Sequence, residues 1–145
     1  MRVDFYQLGG ASLEIVVAAI AGRLLGEDQR LLVVAEDEGL LARLDRQLWD
    51  QGAASFLPHA IAGGSDDSRQ PILLSSADDA PNLARSILIA DGVWRESALA
   101  FERAFFLFDT NTLEAARQAW KLLSGREGIE RHYLANEAGK WVEKG

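Results

Sequence analysis

Four short runs built almost wholly of apolar residues constrain this chain more than any other feature: "RLLVVA" (30–35), "PILLSS" (71–76), "SILIAD" (86–91) and "AFFLFD" (104–109). A strand with one wet face alternates apolar and polar residues, whereas a continuous apolar run this short reads as a strand covered on both faces. Other segments carry apolar residues at helical spacing. In "SLEIVVAAIAGRLL" (12–25), Leu13, Val16 or Val17, Ile20 and Leu24 recur on one face, Ser12 stands where a cap is needed, and Gly26 and Asp28 mark the end. With "RVDFYQL" (2–8) in front, this makes strand, helix, buried strand: the opening of a βαβ unit, whose crossover should be right-handed.

The pattern continues along the chain. Residues 37–49 read as a second helix with Leu41, Leu44 and Leu48 on one side, and residues 95–103 as a short helix turning Ala98 and Phe101 inward. A late helix runs from Asn111 or Thr112 to about Ser124, with Leu113, Ala116, Trp120 and Leu123 in phase and Gly125 as its stop. "DQGAASFLPHAIAGGSDDSRQ" (50–70) reads as a mixed connection, Asp79-Ala80-Pro81-Asn82 as a turn, and "HYLANEAGKWV" (132–142) as a closing turn or hairpin. About five short strands alternating with helices give an α/β chain in three layers. The expectation is a single domain over residues 1–145, with a mostly parallel, Rossmann-like sheet, helices on both faces, and room for an antiparallel edge and final hairpin.

Size and composition fit that reading and remove several function classes. A chain of 145 residues, 48% hydrophobic with four tryptophans, suits one core. It has no cysteine, which excludes disulfides, thiolate zinc sites and a cysteine nucleophile. The N-terminus "MRVDFYQLGG" carries no signal-peptide pattern, and the apolar runs fall well short of the roughly 20 residues that span a bilayer, so a soluble, cytoplasmic protein is expected, with no membrane partner. The net charge of −7 is unevenly spread: residues 1–108 hold 16 acidic and 9 basic side chains, residues 109–145 six of each, including all three lysines, Lys121, Lys140 and Lys144. Such a chain is poorly suited to a broad duplex-binding surface but can hold a local basic site for a small acidic ligand.

Candidate chemistry is sparse. Glu36-Asp37-Glu38 follows an apolar strand, a suitable place for magnesium or acid/base work, yet it also falls on the first turn of a helix, where negative charge complements the dipole. His59 and His132 are the only histidines, too few for an ordinary zinc set, and both suit hydrogen-bonded structural roles. Ser12 or Ser75 has no G-x-S-x-G elbow to activate it. "LGGAS" (8–12) is neither dinucleotide fingerprint nor phosphate loop, so Gly9-Gly10 reads as a tight turn. No cofactor is expected. What remains is a binding surface: Arg117 and Lys121 stand four apart on the late helix with Trp120 beside them, a fork, an ammonium and an indole that suit a peptide with carboxylates and a terminal aromatic ring. The plainer alternative is Trp120 as a core anchor with the bases as a solvated rim.

The whole chain also resembles the chi subunit family of bacterial DNA polymerase III. The most specific block is "VVAEDEGLLARLDRQLWDQGAASFLPHAIAG" (33–63), whose pieces "EDE", "RLDRQLW", "SFLPH" and "AG" match the family pattern in order; "VDFYQL", "ILIA" and "ARQAWK" fit as well, so the likeness runs over residues 2–142. The resemblance implies a non-catalytic subunit of the clamp-loader complex in DNA replication. It implies pairing with the psi subunit and binding of the acidic C-terminal tail of single-stranded-DNA-binding protein, which ends in a phenylalanine carboxylate, with DNA contacted mainly indirectly. It also implies a tail pocket in which Arg117 holds a carboxylate, Lys121 adds charge, and Trp49, Phe56 and Trp120 wall the terminal ring. Ala119 and Leu122 leave the helix with fewer basic neighbours than the family pattern, a shortfall that Arg126, Arg131 and Lys140 are placed to offset. Two rivals stand beside this reading: a nucleotide- or magnesium-dependent α/β enzyme with a deep pocket near Gly9, Glu36 and Asp37, and direct single-stranded nucleic-acid binding by Trp49, Trp120 and nearby bases.

Overall fold

The computed structural model describes residues 1–50 and 58–144. In chain order the elements are β1 (Arg2–Gln7), α1 (Leu13–Gly26), β2 (Leu31–Val34), α2 (Glu38–Trp49), β3 (His59–Ile61), β4 (Ile72–Ser75), β5 (Ser86–Ile89), β6 (Arg103–Phe108), α3 (Leu113–Leu123), β7 (Glu130–Glu137) and β8 (Lys140–Glu143), with 3₁₀ turns at Asp67–Arg69 and Glu96–Ala100. The eight strands form one sheet in the order β3-β4-β2-β5-β6-β1-β7-β8. Every neighbouring pair is parallel except β7 with β8. The expected mixed α/β domain, with a mostly parallel sheet and flanking helices, is what forms, and the antiparallel pair is the expected closing hairpin.

The apolar runs are buried on both faces, as their composition requires. Along β2, Leu31 and Val33 join one core with the inner faces of α1 and α2, while Leu32 and Val34 join a second core under α3. The same period of two divides β1 and β6: Val3, Phe5, Ala104, Phe106 and Phe108 face α3, and Tyr6, Phe105 and Leu107 face α1. Local signals set the helix starts. The Ser12 side chain accepts from Ile15 N, and Asp37 caps α2 by accepting from Gly39 N at 2.9 Å.

Three features were not read from sequence. β3 is a three-residue strand at the sheet edge inside the segment expected to be a connection; three residues in a stretch rich in Gly and Ser give too short a pattern to declare a strand. Asp4 is fully buried in β1, its Oδ1 accepting from Arg2 Nε at 2.8 Å and its Oδ2 from Arg103 Nε and Nη2 at 2.9 and 2.6 Å. Asn82, from the expected turn, is also fully buried and donates to the carbonyls of Leu31 and Gln70, pinning the strand-linking loops to the start of β2.

Candidate functional site

The amphipathic pattern of α3 decides which of its side chains can meet a ligand. Ala116, Ala119 and Leu123 are buried against the sheet, and Leu113 and Trp120 pack at the margin of that core. Arg117 and Lys121, one turn apart, are left on the open side. The helix start is fixed from below: Asp109 Oδ1 accepts from Asn111 N and Thr112 N at 2.9 and 3.1 Å, and Thr112 Oγ1 accepts from Asp109 N at 2.9 Å.

Between α3 and the C-terminal ends of β1, β6 and β7 lies a cleft of about 730 Å³. Phe5, Phe108, Trp120 and Tyr133 contribute its apolar floor; Arg117, Lys121 and Lys144 bring positive charge to it, with Glu114 as the opposing carboxylate. Glu114 engages Arg117 only loosely, at 3.9 Å between side chains that are both mostly exposed, so little restrains the guanidinium. Trp120 meets Phe5 edge-on at 5.1 Å and Tyr133 at 6.1 Å between ring centroids. Arg131 lies over the indole at 4.1 Å and donates to the Trp120 carbonyl at 2.8 Å. Trp120 is therefore both a core anchor and a cleft wall, so the two readings of it are not exclusive.

The structure does not assemble the expected composite pocket. Arg117, Trp120 and Lys121 line one cleft, but Trp49 ends α2, on the other face of the sheet, with its ring 4.9 Å from that of His59 in β3. Four strands separate β3 from β1, a span of about 24 Å at the usual interstrand spacing. A helix that packs on the α1 side at the β3 edge cannot bring its last residue to a cleft under α3. Trp49 is thus removed from this cleft, and Phe56 lies outside the described residues. None of the compensating bases lines the cleft: Arg126 pairs with both oxygens of Glu96 at 2.8 and 3.0 Å, Arg131 lies over Trp120, and Lys140 opens β8. Sequence reasoning missed Phe5, Gln7, Phe108, Tyr133 and Lys144 as cleft residues, because they come from three strands and the chain end that only the sheet order brings together.

The other candidates resolve into structure. Asp37 is the α2 cap, and the Glu36 amide donates to Asp91 Oδ2 at 3.0 Å. Burial pushes the Asp91 carboxyl upward, but hydrogen bonds from Arg95 and from the Glu36 and Val93 amides together hold it below the usual carboxylate range. Gly9 takes a left-handed conformation at φ 62°, with Ala11 N donating to the Leu8 carbonyl, as a tight turn requires. His59 Nε2 is buried 3.0 Å from Asp45 Oδ1, linking β3 to α2. His132 lies between Glu130 and Glu143, whose hydrogen bonds, Glu130 first, raise its pKa above the ordinary 6.5. Among the described residues, no group of three or more His, Asp or Glu could hold a metal ion, and no helix is long and apolar enough to cross a membrane.

The fold and the cleft define a mixed α/β protein of one large sheet, with a cation-rimmed, aromatic-floored cleft against its last helix. The chain belongs to the DNA polymerase III chi subunit family: the model of that family, described as DNA polymerase III chi subunit, HolC, matches residues 1–130. It is also similar to the DNA polymerase III subunit chi of Escherichia coli (strain K12), with 29% identity over 116 residues, 78% of this chain and 79% of that protein.

Proposed function

We propose that this chain is a non-catalytic accessory subunit of the clamp-loader complex, joining replication to coated template by capturing the acidic C-terminal tail of single-stranded-DNA-binding protein in the α3 cleft. One observation carries the reading: on a chain of net charge −7, Arg117, Lys121 and Lys144 converge on a cleft floored by Phe5, Phe108, Trp120 and Tyr133. A tail of carboxylates ending in a phenylalanine needs both parts, cations for its charge and a ring-lined hollow for its end. Arg117 offers a planar fork to a carboxylate and Lys121 a second charge one turn on. Oppositely charged partners also meet faster than uncharged ones, and the contact should weaken with salt.

Pairing with the psi subunit then needs a surface of its own. The face carrying Trp49 supports such an assignment, since that indole is 57% exposed on the side of the sheet opposite the cleft. Two partners could then be held together without competing.

The test is calorimetric titration with a synthetic tail peptide. Saturable one-to-one binding is expected, lost on deleting the peptide's terminal phenylalanine and strongly weakened by Arg117→Ala. Equal affinity after both changes would refute the assignment.

A further inference from the structure

The cleft does not end at α3. A second cavity, lined by Gln7, Gly9, Tyr133, Ala135, Asn136, Glu137 and Lys144, adjoins it, and Gln7, Tyr133 and Lys144 border both. Tyr133 donates its hydroxyl to Gln7 Oε1, which fixes this shared border. Lys144 comes to it from the far side of the hairpin: its amide donates to the Tyr133 carbonyl at 2.7 Å just beyond β8, and its ammonium is paired with Glu137 near the end of β7. Both side chains of that pair are about half exposed, 44% and 52%, so it is open to exchange with another carboxylate. Tyr133, Glu137 and Lys144 lie past residue 130, where the match to the family model stops.

We propose that the β7–β8 hairpin is the second wall of the peptide site, and that Lys144 takes an acidic side chain of the incoming peptide in place of Glu137, which occupies it as an internal competitor when the site is empty. The proposal rests on the tail-binding reading above and adds its regulation. The chemistry of the occupant follows from the wall: the only carboxylate Lys144 pairs with among the described residues is half exposed and so exchangeable, and the tail proposed above to bind at α3 is rich in carboxylates. An acidic peptide running from Arg117 and Lys121 across Tyr133 therefore meets a third cation after it has passed the aromatic floor. Removing Glu137 should free Lys144 and tighten binding, whereas removing Lys144 should loosen it.

The experiment is titration of the full chain, at low salt, with the acidic tail peptide and with a version whose carboxylate side chains are replaced by asparagine. Glu137→Gln is expected to tighten the acidic peptide about two- to fivefold, and Lys144→Ala to weaken it by a similar factor, as suits exposed ion pairs. In the Lys144→Ala background Glu137→Gln should have no effect, and neither variant should alter affinity for the asparagine peptide. Tightening by Glu137→Gln that persists without Lys144 would overturn the exchange, since it would mark a general charge effect. Unchanged affinity in both variants, with Arg117→Ala still defective, would overturn the Lys144 proposal and leave the α3 reading standing. Absence of any binding by the unaltered chain would remove both.

Discussion

The start of α3 packs closely against a glycine, and replacing it gives a calculable penalty. Gly92 follows β5 with φ 73°, and a Cβ built on it would fall 2.5 Å from Thr112 Cγ2 and 2.6 Å from Thr112 Cβ. Thr112 cannot easily rotate away, because its hydroxyl accepts from Asp109 N at 2.9 Å and donates to Asp109 Oδ1 at 3.1 Å. Gly92→Ala then carries two costs. A left-handed backbone with a side chain costs about 1–2 kcal/mol. Overlap in a packed site costs about 1–3 kcal/mol more. The sum, about 2–5 kcal/mol, should appear as a lower urea midpoint at unchanged slope. In a Thr112→Gly background the overlap is absent, so the cost of Gly92→Ala should fall to about 1–2 kcal/mol. A loss below about 0.5 kcal/mol, within the ordinary range of harmless surface changes, would show that neither the backbone nor the overlap carries this penalty. An equal loss in both backgrounds would show that the overlap does not.

Other consequences follow from the same packing. Asp4→Asn should destabilise the fold by about 1–3 kcal/mol in urea unfolding, less than the roughly 3–5 kcal/mol of a fully buried pair, since Arg2 and Arg103 are 41% and 29% exposed and can turn to water; no loss would mean the triad is not a stabilising contact. His132 has a folded pKa raised above 6.5, so its contribution is fully present below about pH 6.5 and is lost as pH rises through the folded value. An NMR titration of the His132 ring should show a midpoint above 6.5 that falls in Glu143→Gln, and a midpoint at or below 6.5 would contradict the pairing. Trp49→Ala should leave affinity for the tail peptide unchanged, because the sheet stands between that indole and the cleft; weakened binding would return Trp49 to the site.

The layers were legible because burial on two faces leaves a mark on composition: "RLLVVA" and "AFFLFD" carry no polar alternation to be explained otherwise. The α3 bases were legible for a related reason, since helical spacing alone puts Arg117 and Lys121 on one side. What the string did not hold was the sheet order. Trp49 fits a pocket aromatic by resemblance until β3 is seen at one edge, and Lys144 is one of three late lysines until β7 is seen beside β1. The closing hairpin itself was legible in "HYLANEAGKWV", but its place beside β1, like that of β3 at the far edge, depends on pairings between distant segments that neither periodicity nor local turn chemistry signals. Asp4 was hidden similarly, its partner Arg103 lying 99 residues away.

We propose that the α3 cleft, and not a surface joined to Trp49, takes the acidic tail. Amide and indole NMR spectra recorded during addition of the tail peptide test this most directly. Shifts should concentrate at Arg117, Trp120, Lys121, Tyr133 and Lys144, with the Trp49 indole unmoved. A response centred on Trp49 and His59, with the α3 signals still, would contradict it.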